Sequence, residues 1–139
     1  MRRLRQVTLS KFDNCQSYVL KRIGLSEIVL TSYEDMMSSE DFKVKDYSAT
    51  ITLNVGDILI WDKNKEMVDM PTFINEVGLI ISRPTSTRIH MAVFEGDDTV
   101  TDCVRSNTPN KLPKIQMRML WNIARKPDKI LTYKITNNV

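Results

Sequence analysis

The hydrophobic rhythm of this chain changes near residue 50. Before it, apolar residues recur at helical spacing. Tyr18, Val19 and Ile23 fall on one face of the stretch 15–23, Lys21 and Arg22 lie off it, and Gly24 is a natural stop. Asp13 or Asn14 can cap this helix by accepting backbone N–H bonds. A second helix is expected over 33–39, entered from Ser32 with Glu34 and Asp35 in its first turn. Beyond residue 50, short β-rich runs alternate with turn residues. Strands are expected at 50–53, 58–61, 77–82, 89–94, 99–104 and 130–135. Turns fall at 54–57, at 83–87 and at Gly96-Asp97-Asp98, the last a hairpin signal. Residues 62–76, charged and proline-containing, read as a loop or insertion, and 106–113 as a loop. The stretch 115–124 fits strand or helix equally well. Helices first and an antiparallel meander after them indicate the α+β class.

Composition narrows the picture. A length of 139 residues suggests one domain, with 42% hydrophobic and 27% charged residues, both ordinary for a globular protein. The net charge of +3 is mild and no Lys/Arg block is present, so no nucleic-acid partner is expected. No apolar run is long enough for a membrane span. Met1-Arg2-Arg3-Leu4-Arg5-Gln6 has charge but no apolar core, so no signal peptide is expected. Synthesis as a soluble cytoplasmic chain follows from that reading, with lysis or assembly into a larger particle as routes outward. Cys15 and Cys103 are expected to be free thiols in that compartment, although a disulfide between them stays open.

Candidate chemistry converges on Cys15 and His90. Cys15 stands at the expected helix start, where the positive end of the helix favours a thiolate. A small buried core residue is the competing reading, because free cysteine is among the most buried types. His90 is the one histidine in the sequence and opens an expected strand. Any Cys–His mechanism must use it, although a lone histidine on a strand is more often structural. Asp102, on the return strand of the hairpin, is the candidate to accept the second imidazole N–H. The competing reading is a solvated strand aspartate. Cys103 points to the opposite face and reads as structural, and Asp97 and Asp98 read as turn formers. The Cys15 N–H is the natural first oxyanion donor, with Gln16 as a lining residue and Asn14 as either a donor or a plain cap. Trp61, Trp121, Met117 and Met119 read as core or cleft wall. Zinc-site spacing, a phosphate-binding glycine loop and a serine nucleophile elbow are all missing from the sequence, and no cofactor or metal is implied.

Three segments together resemble the NlpC-type peptidases, a bacterial and phage branch of the papain-like superfamily. That family carries Asp-Cys-Ser-Gly-Phe/Tyr-Val at a helix start, and this chain has Asp13-Asn14-Cys15-Gln16-Ser17-Tyr18-Val19. Gly-Asp-Leu before an apolar strand is matched by Gly56-Asp57-Ile58-Leu59-Ile60-Trp61. His-Val-Gly/Ala-Ile-Tyr and a glycine turn are matched by His90-Met91-Ala92-Val93-Phe94-Glu95-Gly96. The family's third polar residue falls at Asp102. The chain differs by the Asn14 between Asp13 and Cys15 and by Gln16-Ser17 in place of Ser-Gly. Asn-Cys-Gln is also similar to the Asn-Cys-Glu of the lecithin-retinol-acyltransferase-like branch, where the His precedes the Cys. The NlpC resemblance implies a papain-like fold over 1–139, with the Cys15 helix packed on an antiparallel sheet. It implies a Cys15–His90–Asp102 hydrolase acting on a peptide, the peptides of bacterial peptidoglycan being the family's substrate. A thiol acyltransferase, or a non-catalytic phage-type binding or inhibitory protein of the same fold, are the alternatives. Oligomeric state is open.

Overall fold

A computed structural model describes residues 4–11, 13–25, 33–62, 70–74, 80–83, 89–104, 111–123 and 125–134. Two short helices precede the strands: α1 (Cys15–Arg22) and α2 (Tyr33–Ser38). The strands are β1 (Phe42–Asp46), β2 (Ile58–Trp61), β3 (Met70–Ile74), β4 (Ile80–Arg83), β5 (His90–Gly96), β6 (Thr99–Val104), β7 (Lys114–Met119) and β8 (Lys129–Tyr133). Six of them form one antiparallel sheet in the order β1-β8-β2-β5-β6-β7, and β3 and β4 pair with each other in a second sheet. The protein is α+β.

Alternation along the central strands sends side chains to two apolar layers. Ile58, Ile60, Met91, Val93, Cys103 and Leu131 face one side and pack with Tyr18, Val19 and Leu20 of α1, with Ile23 at its C-cap and with Met36 of α2. Leu59, Trp61, Ala92, Phe94, Val100 and Ile130 face the other. Tyr47, Ile51, Leu53, Leu120 and Ile123 cover that second layer. All four residues of β2 are therefore buried, because helices cover one face and loops the other.

Several expectations need correction. Residues 50–53 form no strand. Their alternation is real, but Ile51 and Leu53 use it to cap the second layer, and the Ile51 N–H donates to the Ser48 carbonyl in a turn. The neighbouring β1, whose Phe42 is buried and whose other residues are exposed, was not anticipated. The 62–76 segment holds β3, so it is not loop throughout, and β3 pairs with β4 instead of joining the main sheet. Of the expected strand at 77–82, the described part lies in β4, which runs through Arg83; residues 77–79, and the turn over 84–87, lie outside the described residues. So does most of the loop at 106–113 and the end of the expected strand at 130–135. The ambiguous 115–124 stretch is strand to Met119, then a 3-10 turn over Leu120–Asn122. Trp121 and Met117 are exposed and not part of the core.

Two turns fix the strand ends at the far end of β5 from His90. Asp57 is buried at the β2 entry: its carboxylate accepts from the Asn54 N–H and the Thr132 hydroxyl, and its carbonyl from the Phe94 N–H. The Gly-Asp pair thus ties β2 to β5 and β8. Asp97 and Asp98 both adopt positive φ, 49° and 58°, as a tight hairpin turn needs. This return brings β6 alongside β5, with Val93 opposite Thr101.

Candidate active site

The start of α1 is built from its own sequence. Asn14 is the N-cap: its side-chain oxygen accepts from the Ser17 N–H, and the Ser17 hydroxyl accepts from the Asn14 N–H, a reciprocal capping box. Tyr18 N–H closes the first helical bond on the Asn14 carbonyl. Buried Asp13 braces this end by accepting from Ser10 N–H, the Ser17 hydroxyl and Lys21 Nζ. Those bonds hold its carboxyl below the usual carboxylate range, against the burial that would raise it. Asn14 thus takes the cap, and Asp13 is a brace one residue further out. Cys15 is left as the first helical residue. The first N–H groups of a helix have no partner inside it, and this cap takes up that of Ser17, not that of Cys15.

A polar clamp fixes α1 lengthwise on β5. At its far end Arg22 forks onto Glu95, with Nε at 3.0 Å and Nη2 at 2.7 Å from the two carboxylate oxygens. Glu95 also accepts from the Thr101 hydroxyl, which hydrogen-bonds the Tyr18 hydroxyl at 2.6 Å. At the near end, Cys15 lies close enough to the His90 ring to favour its protonated form. The helix therefore runs along the strand that carries the imidazole, with Cys15 at the His90 end.

His90 is the first residue of β5, so its ring stands at a strand end where it meets two partners. Nε2 lies 2.5 Å from Asp102 Oδ2. Asp102 shares a face with Val100, one strand over, and is fully buried. The Trp61 ring, opposite His90 in the register, lies 5.6 Å from the imidazole and walls it on one side. Burial alone would lower the affinity of His90 for its proton. The hydrogen bond and charge of Asp102, with Cys15 adding to them, outweigh it and push His90 up to about 9. Asp102 is driven the other way: burial favours its neutral acid, and His90 and Arg118 together hold it below the usual range.

The structure sets Asp102 against the His90 ring and Cys15 beside the same ring. Asn14 stands at the same helix end, but its side-chain oxygen is committed to the cap. Gln16 is half-buried, and its amide nitrogen is among the few buried polar side-chain atoms without a partner among the described residues. Cys103 is buried in the layer beneath α1, away from Asp102, and both cysteines are free. Arg118, on β7, was missed: its Nη2 lies 2.6 Å from Asp102 Oδ2. Register alone would have found it, since β7 sets Arg118 opposite Val100 and Gln116 opposite Asp102. That pairing was out of reach while 115–124 was ambiguous.

Among the described residues no group of three or more His, Cys, Asp and Glu side chains is placed to hold a metal ion, and no helix is long and apolar enough to cross a membrane. No family model, curated protein or solved structure matches the chain.

Proposed function

We propose that this chain is a cysteine hydrolase with a divergent papain-like, NlpC-type fold that cleaves an amide bond. The observation that carries the reading is buried Asp102 hydrogen-bonded to His90 Nε2, with Cys15 at the start of α1 beside the same ring. This is a nucleophile, a base and an orienting acid in series. With Nε2 committed to Asp102, Nδ1 is the nitrogen left for the thiol. The Cys15 proton passes to His90, and the thiolate attacks the amide carbonyl. The Cys15 N–H, unclaimed by the cap, donates to the developing oxyanion, with Gln16 as the neighbouring donor. His90 then protonates the leaving amine, and water, deprotonated by His90, releases the acyl group from sulfur.

The proposed substrate is a peptide, and the sequence resemblance points to peptidoglycan peptides. Incubation with purified peptidoglycan fragments, followed by mass spectrometry of products and of intact protein, tests this. New amine and carboxyl ends, with a transient acyl adduct on Cys15 that is lost in Cys15→Ala, are expected. Neither products nor adduct from any peptide, with the protein folded, would contradict the reading and favour the non-catalytic alternative.

A further inference from the structure

The site holds one group that the Cys–His–Asp reading leaves without a task. Arg118 reaches from the edge strand β7 to Asp102, Nη2 to Oδ2 at 2.6 Å, onto the same oxygen that His90 uses. The pair has one bond where a fork would have two. Arg118 Nε and Asp102 Oδ1 are both buried without a hydrogen-bond partner among the described residues. Gln116, at 3.5 Å, adds little. Asp102 is thus a fully buried carboxylate with a bare oxygen, which is costly unless a cation stands beside it. His90 supplies one only while it is protonated. In the proposed hydrolysis His90 must give its proton to the leaving amine, and at that moment Arg118 is the cation still in contact with Asp102.

Resting on the hydrolase reading, we infer that Arg118 is a positioning residue, holding Asp102 against His90 and balancing its buried charge through the step in which the imidazole is neutral. Asp102 is faced by His90 from β5 and by Gln116 and Arg118 from β7, and its charge also bears on Tyr18 of α1. Of these, Arg118 is the one that carries a positive charge throughout the cycle. A fixed positive charge here acts in a definite direction. It makes each proton in the site easier to lose, so removing it tightens proton binding at both Asp102 and His90. A merely structural role acts otherwise: loosening the strand would return His90 toward its ordinary value of ~6.5.

The lone histidine makes the test direct, because one set of imidazole resonances reports the site. The ring is titrated by NMR in the full chain carrying Cys15→Ser, so that no thiol titrates beside it, with and without Arg118→Gln or Arg118→Lys. In Arg118→Gln the His90 midpoint should move up by roughly half to one pH unit, a three- to tenfold tighter proton. Arg118→Lys, which keeps the charge, should stay near its parent. An unchanged or lowered midpoint in Arg118→Gln would overturn the inference. Should Arg118→Gln not fold, Arg118→Lys in 0.05 M and 1 M salt serves: the more exposed ammonium should be screened and the midpoint should rise with salt, and no rise would overturn it. Because no thiol or substrate takes part, this result is independent of whether the chain hydrolyses anything.

Discussion

At the scale of single residues, the site is a chain of charges whose order sets its pH behaviour. His90 is pushed up to about 9, above its unfolded value of ~6.5. Below ~6.5 both folded and unfolded chains hold the proton and the pair contributes fully. Between those values the folded chain binds more protons, so stability falls as pH rises, and above about 9 the contribution is gone. Urea midpoints should therefore drop between pH 6 and pH 10 by more in the wild type than in His90→Asn; parallel drops would contradict this. Asp102 runs the other way: held low, it contributes above ~3.9 and loses that as pH falls further. Asp102→Ala strips a buried carboxylate from between His90 and Arg118 and should cost about 3–5 kcal/mol in chemical denaturation. The sequence made Cys15, His90 and Asp102 legible because each has a rare chemistry at a readable position: a helix start, a strand start and a hairpin return. Arg118 was not legible, because an arginine on an unassigned stretch looks like any solvated cation until the strand register is known.

At the scale of elements, the decisive piece is α1, eight residues long and too short to be stable alone. Its stability comes from its cap, its buried face and the clamp to β5. Asn14→Ala removes the cap oxygen and should cost about 1 kcal/mol, read from the thermal or urea midpoint. It should also slow alkylation of Cys15, since the thiol sits on the first residue beyond the cap. Loss of stability with unchanged alkylation would mean the helix start does not position the sulfur. The helix boundaries were readable from spacing, Asn14 and Gly24, because these signals are local. The 50–53 segment was misread because alternation reports burial, not backbone pairing. Ile51 and Leu53 satisfy the pattern by covering a sheet face without entering it. The β3–β4 pair was half-seen for a related reason: a β-rich run says strand, but not which sheet.

At the scale of the whole molecule, the sheet separates support from chemistry. One face carries the helices, and the other is sealed by loops over Trp61, Ala92 and Phe94. The site forms where the end of β5 meets the start of α1, so it needs both layers intact. Leu131→Ala, in the fully buried centre beneath the helices, should cost about 2–5 kcal/mol in urea denaturation while the surviving folded fraction keeps its Cys15 reactivity. The central claim is that this assembly makes Cys15 a nucleophile through His90. The most direct test is the rate of Cys15 alkylation by iodoacetamide from pH 5 to pH 10, in Cys103→Ser and in Cys103→Ser with His90→Ala. The account predicts rapid labelling at pH 6–7 in the first. It predicts reversion in the second to the profile of an ordinary thiol, whose rate climbs to a midpoint near ~8.5. Ordinary labelling in both proteins, or profiles indifferent to His90, would contradict it.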